Sequence, residues 1–282
     1  MICLIEKQNL ELTGSSMGLM KNNEEKVFIR PTSLCKRSCF YSRTTVVAIL
    51  QVSHLQTFTM QFTLLLPLLA TAAYSAPVEN LQERAACSSY TIINTRGTGE
   101  IQGESSGFRT INANVQKQVS GGKIVNTVYL AGADQNSAAA TSFIINQVSS
   151  TLQTNPSECF ILEGYSQGAA GTVNALPKLT GASFDAVKGV FLIGDPMHKR
   201  GLACNVDNNG GSTTKNVQGL SALLGSGIPD NWVSKTLDVC IFGDGVCDTT
   251  HGFGINAAHL RYPMDTATQR LGTDFITKQL AA

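Results

Sequence analysis

A serine set between two glycines is the first feature with chemical content. Gly164-Tyr165-Ser166-Gln167-Gly168 fits the G-x-S-x-G pattern, in which a serine at a strand-to-helix turn holds its hydroxyl clear of the backbone as a nucleophile. Glycines two residues before and after let neighbouring backbone approach where a Cβ would clash. A helix beginning just after the serine aims N–H groups and the positive end of its dipole at a developing oxyanion. A hydroxyl alone is a weak nucleophile, so a base must take its proton and a third group must orient that base. In such folds the order along the chain is serine, acid, histidine. The four histidines are His54, His198, His251 and His259. His54 lies in a leader and His198 comes early for a base, whereas His251 and His259 both follow the last strand-like run and both stay open on spacing. Asp238 falls inside that run, Asp244 ends Cys240-Ile241-Phe242-Gly243-Asp244, and Asp248 follows Cys247. A disulfide from Cys240 to Cys247 would close too short a loop to remove much chain entropy. Its use would be to stiffen the loop carrying Asp244, which favours Asp244 over Asp248.

The elements that must position these groups are legible as apolar runs alternating with helical spacing. Residues 91–95, 124–130, 159–163, 187–193 and 237–242 read as strands. Residues 137–152 have helical apolar spacing (Phe143, Ile144, Val148, Leu152) and stop before Asn155-Pro156; 167–176 and 265–280 suit helices. Short apolar runs interleaved with helices predict an α/β fold with a mostly parallel sheet covered on both faces. Gly-rich residues 208–211 mark a loop within one domain, and no internal repeat is present.

Composition limits the partners. The 282 residues are 43% hydrophobic with a formal net charge of +1, which argues against a nucleic-acid partner, since phosphate binding needs a surplus of Lys and Arg. Eight cysteines without a CxxC pair suit disulfides in an exported protein better than a metal or redox site. Residues 60–75, MQFTLLLPLLATAAYS, read as a signal peptide cleaved before Ala76. Its apolar run of roughly 13 residues is shorter than the ~20 needed to span a bilayer, so no membrane span is expected. Residues 1–59 lack sustained periodicity and hold Cys3, Cys35 and Cys39 in no recognisable spacing; they are expected to be an over-extended, unstructured N-terminus, with Met60 as initiator. Residues 76–86 are expected to be a short pro-segment or linker and 87–282 the catalytic domain. No N-x-S/T sequon with a permitted middle residue occurs.

Four blocks together resemble the cutinase family of fungal serine esterases, which includes acetylxylan esterases. They are Arg96-Gly97-Thr98, Gly164-Tyr165-Ser166-Gln167-Gly168-Ala169, Gly243-Asp244-Gly245-Val246-Cys247 and Ala257-Ala258-His259-Leu260-Arg261-Tyr262. The resemblance covers nearly all of 87–282. It implies a lidless α/β-hydrolase three-layer sandwich without a cofactor or metal. It carries Ser166 over as nucleophile, His259 as general base and Asp244 as its orienting acid, with the backbone N–H groups of Thr98 and Gln167 as oxyanion hole. His251-Gly252-Phe253-Gly254 resembles the block around the base of acetylxylan esterases instead. A family disulfide joins a cysteine before the first strand, the position of Cys87, to one that would fall near Asn155. Here the cysteine is Cys159, and Cys87–Cys159 is the expected pair, beside Cys240–Cys247, with Cys204 left over.

The resulting expectation is a secreted, extracellular, monomeric esterase acting on cutin, other aliphatic polyesters or short-chain esters through a Ser166 acyl-enzyme. Deacetylation of xylan is the alternative with the same chemistry. A non-catalytic secreted surface-binding protein is the alternative of another class. Phe253, Ile255 and Leu260 flank the histidine, either as an apolar rim or packed beneath the last helix.

Overall fold

The computed structural model describes residues 87–282; the expectations for residues 1–86 lie outside them. The described residues form six strands, β1 (Tyr90–Thr95), β2 (Gly122–Asn126), β3 (Cys159–Tyr165), β4 (Val187–Ile193), β5 (Asn205–Val206) and β6 (Thr236–Val239). Five helices accompany them: α1 (Arg109–Gln118), α2 (Ala138–Thr154), α3 (Gln167–Ala175), α4 (Ala182–Ala186) and α5 (Thr266–Ala281). Every strand pair is parallel, in the order β2-β1-β3-β4-β6-β5.

Strand residues alternate between two apolar layers. Ile92, Ile161, Phe191 and Ile193 pack with Phe108, Ile111, Val115, Ile276 and Leu280 on the α1/α5 side. Ile93, Phe160, Leu162, Val190 and Leu192 pack with Ile144, Val148, Ala169 and Val173 on the α2/α3 side. Both faces are covered, which is why β3 and β4 read as unbroken apolar runs rather than alternating ones. Each such side chain contributes about 1.5–3 kcal/mol when fully buried. Cys87 and Cys159 are joined, tying the segment before β1 to the first residue of β3.

Two strands are shorter than the apolar pattern predicts. β2 stops at Asn126: Thr127 N–H makes the last ladder bond to β1, to Asn94 O, and beyond it the carbonyls of Thr127 and Tyr129 are taken by the Arg96 guanidinium. Residues 127–130 therefore leave the sheet and form a wall over the end of β1. β6 stops at Val239, and residues 240–244 form a loop closed by the Cys240–Cys247 disulfide. The helix α1 and the two-residue β5 have no counterpart in the periodicity.

The strand order places a topological switch at β1. The chain leaves β1 for β2 on one side and returns to β3 on the other, opening a crevice at the carboxyl ends of β1 and β3, where ligands of such sheets bind. Thr95 ends β1 directly beside Gly164 of β3. The segments carrying Thr98 and Ser166 thus emerge next to each other.

Candidate active site

Ser166 sits on the turn between β3 and α3 at φ 55° and ψ −120°, a conformation that a residue with a side chain rarely adopts. The two flanking glycines make the turn possible by close approach. A Cβ on Gly164 would meet Ala169 Cα at 2.6 Å, and one on Gly168 would meet Thr95 O at 2.2 Å. Ser166 N–H donates to Ile193 O at 3.0 Å, locking the turn onto β4.

Ser166 Oγ lies 2.9 Å from His259 Nε2. The other ring nitrogen of His259 is 2.9 and 3.0 Å from the two oxygens of Asp244. All three side chains are buried or nearly so. Asn256 Oδ1 accepts the His259 backbone N–H at 3.0 Å, and Tyr165 Oη donates to His259 O at 2.7 Å, fixing the backbone of the histidine loop from two sides. Asp244 Oδ1 also accepts from Val246 N–H at 2.9 Å, and Tyr262 Oη donates to Asp244 Oδ2 at 2.6 Å.

The other histidines go elsewhere. His251 Nδ1 pairs with the buried Asp248 at 2.8 Å, and its ring lies on Phe242, half-exposed and apart from Ser166. His198 is fully buried, with Nδ1 2.7 Å from Asp238 Oδ2 and Nε2 3.1 Å from Thr214 O. The acids divide in the same way: Asp244 faces His259, Asp248 faces His251, and Asp238 faces His198. Cys204 is buried and unbridged, its thiol pushed up to about 12 by burial and then by Asp238.

Thr98 lies between Gly97, whose N–H donates to Glu100 Oε2, and Gly99, whose N–H donates to Ala131 O. Among the described residues, the backbone N–H groups of Thr98 and Gln167 have no protein acceptor. Gln167 is the first residue of α3, where N–H groups lack helical partners. The Thr98 hydroxyl donates to Gln135 Oε1 at 3.2 Å and reaches Gln167 Oε1 at 3.4 Å. Glu100 holds this loop. Its oxygens accept from Gly97 N, Ser105 Oγ, Ser106 N and Ser106 Oγ, each at 2.7 Å. Arg96 is part of the same brace, bonded to Glu100 O, Gln102 Oε1 and two carbonyls of residues 127–130. Its charge is spent on the scaffold.

Thr98, Ser166 and His259 share a pocket of about 130 Å³ with Ile255, Leu260 and Pro263. Phe253, Ile255 and Leu260 are 85%, 55% and 57% exposed, so none is packed under α5, and Ile255 and Leu260 form an apolar rim of this pocket. A larger groove of about 410 Å³ between α1 and α5 touches this rim at Pro263 but holds no nucleophile with a base. Among the described residues no group of three or more His, Cys, Asp or Glu side chains could hold a metal ion, and no helix is long and apolar enough to cross a membrane.

Tyr262, Tyr165 and Asn256 were not singled out by sequence reasoning as parts of the site. Tyr262 stands in the quoted His259 block, three residues on. Its role is invisible without the fold, because its partner Asp244 is 18 residues away.

A parallel sheet covered on both faces, with a strained serine after a central strand at the switch point, defines an α/β-hydrolase. The cutinase family pattern matches residues 86–280. A cutinase of Monilinia fructicola is 31% identical over 212 residues, covering 72% of this chain and 88% of that protein. A solved cutinase-like protein from Cryptococcus sp. is 59% identical with a TM-score of 0.69, covering 70% of this chain and 98% of the other. The catalytic core domain of acetyl xylan esterase from Trichoderma reesei, 24% identical, shares the fold at a TM-score of 0.54, over 68% of this chain and 99% of that one. The chain belongs to the cutinase family and is a carboxylic ester hydrolase.

Proposed function

We propose that the chain is a secreted serine esterase that cleaves aliphatic polyesters such as cutin, or short-chain esters, through Ser166, His259 and Asp244. The observation that carries this reading is the continuous contact Ser166 Oγ–His259 Nε2, His259 Nδ1–Asp244. Ser166 Oγ attacks the ester carbonyl as His259 Nε2 takes its proton, and the tetrahedral oxyanion accepts hydrogen bonds from the N–H groups of Thr98 and Gln167. Collapse expels the alcohol, which takes the proton from His259, and leaves the acyl group on Ser166. Water then attacks the acyl-enzyme while His259 removes its proton, and the acid departs as Ser166 Oγ is reprotonated. Asp244 holds the imidazole tautomer and stabilises the imidazolium formed in both steps.

The exposed apolar rim favours an aliphatic chain over a sugar carrier. Val128 and Leu130 add exposed apolar surface on a segment whose backbone is hydrogen-bonded to Arg96 and Gly99 on either side of Thr98. Xylan deacetylation uses the same machinery, but the histidine in its favour, His251, is engaged with Asp248 instead. Export is supported by the signal-like residues 60–75 and by two disulfides, which persist in oxidising compartments.

Labelling with an organophosphonate followed by peptide mapping tests the triad. The adduct is expected on Ser166, lost in His259→Ala and retained in His251→Ala; an adduct elsewhere overturns it. Substrate class is tested by comparing hydrolysis of an aliphatic polyester film with acetate release from acetylated xylan. Faster release from xylan would move the reading to the carbohydrate ester.

A further inference from the structure

We infer that Tyr262 is a positioning residue for ester hydrolysis, its phenol setting the orientation and charge distribution of the Asp244 carboxylate that His259 works against; this rests on the triad reading above. Tyr262 opens a 3-10 turn, Tyr262–Met264, and is completely buried. Its Oη donates to Asp244 Oδ2 at 2.6 Å and accepts the Ile241 backbone N–H at 3.1 Å. Cys247 Sγ, bridged to Cys240 and so without a proton, can act only as a weak acceptor at 3.5 Å from the same oxygen. The phenolic proton therefore goes to the carboxylate oxygen at 2.6 Å. Burial and then the Asp244 charge push this phenol well above the ordinary tyrosine range, so it stays a donor at any working pH.

The groups facing the ring are Tyr165, at 5.7 Å between centroids, and His259, at 6.2 Å. Tyr165 itself donates to His259 O, so the two tyrosines grip the histidine loop and its acid from one apolar layer. Asp244 Oδ1 has two donors, Val246 N–H and His259 Nδ1. Without Tyr262, Oδ2 would be left with a share of His259 alone, in a place closed to water. An O–H···O⁻ contact of this length belongs to the charge-assisted class. It draws electron density off the carboxylate and stops it rotating. Both effects keep His259 from holding its proton too tightly before it can serve as a base.

Tyr262→Phe in the full chain keeps the ring and removes only the oxygen. Loss of a hydrogen bond to a charged group predicts a kcat about ten- to a hundredfold lower with KM nearly unchanged. It also predicts that the acidic limb of the kcat/KM profile moves to higher pH. Placing 3-fluorotyrosine at 262, which preserves packing and makes the phenol a stronger donor, should move that limb to lower pH. In an Asp244→Ala background, Tyr262→Phe should cause no further loss, because its partner is gone. Unchanged kcat and pH profile in Tyr262→Phe, or an equal loss in the Asp244→Ala background, overturns the inference. An inactive Asp244→Ala beside an unaffected Tyr262→Phe would remove this inference alone. A fully active Asp244→Ala would remove the triad reading and this inference with it.

Discussion

At Ser166 the backbone is forced to φ 55° by a turn that Gly164 and Gly168 alone make passable, and such strain costs of order 1–3 kcal/mol. Burial of β3 on both faces holds the turn in place. A similar division between the group that acts and the group that holds applies to the oxyanion loop. Thr98 is proposed to act through its N–H, which Thr98→Ala keeps, so that change should lower kcat by less than about tenfold. Glu100 touches no reacting atom, yet its two oxygens accept four hydrogen bonds from Gly97, Ser105 and Ser106. Glu100→Gln replaces one of those acceptors with a donor that faces other donors, freeing one side of the loop. Its kcat on a short-chain p-nitrophenyl ester should fall by about ten- to a hundredfold, more than in Thr98→Ala. The opposite order would show that the Thr98 hydroxyl, and not the loop brace, carries the oxyanion hole.

The two disulfides do different work at the level of elements. Cys87 and Cys159 are 72 residues apart in sequence and Cys240 and Cys247 only 7. Loop-closure entropy assigns about 4 kcal/mol to the first and about 2 kcal/mol to the second. Cys87→Ser/Cys159→Ser should therefore lower the denaturation midpoint the more, with kcat nearly intact in the folded fraction. Cys240→Ser/Cys247→Ser should cost less stability but more kcat, since its loop carries Asp244 and lies against Tyr262; denaturant titration and steady-state kinetics on the same samples separate the two. Strands buried on both faces and the G-x-S-x-G turn were legible in the sequence because burial and backbone strain leave their mark on neighbouring residues. Strand ends were not. Residues 127–130 and 240–242 are as apolar as strands, but side-chain donors such as Arg96 and the short disulfide loop divert their backbone. The helix α1 was hidden by a polar sequence, RTINANVQKQ, with only Ile111 and Val115 spaced for a core face. His259 could be chosen over His251 only by resemblance, because spacing does not reveal which of two nearby loops turns toward Ser166.

Over the whole molecule, buried protons rather than surface charge set the response to pH. Glu163 lies on β3 three residues before Ser166, fully buried, with Oε2 accepting from Asn94 and Asn112. Burial pushes its carboxyl from 4.5 up to about 8, so it is neutral in the fold at pH 7. For His198 burial acts downward, but Asp238 and then Asp195 outweigh it and hold the ring at about 9 against an ordinary 6.5. Both groups bind protons more tightly folded than unfolded, so both lose stabilisation as pH rises. For Glu163 the loss runs from about pH 4.5 to about 8, and for His198 from about 6.5 to about 9. Glu158, Asp207 and Asp265 work the other way: hydrogen bonds hold their carboxyls below the usual range despite burial, so their contribution is lost on acidification. The melting temperature should accordingly peak near about pH 4.5 to 5, where the two opposing sets balance, and decline toward pH 9. Glu163→Gln removes one part of that decline while keeping the shape and an N–H donor in place of the carboxyl proton. Its stability relative to the parent should rise with pH from acid conditions and level off near pH 8, the rise being on the order of 5 kcal/mol. Parallel melting curves of parent and variant from pH 4.5 to 9 measure it; a constant difference across that range would mean that Glu163 is already ionised in the fold.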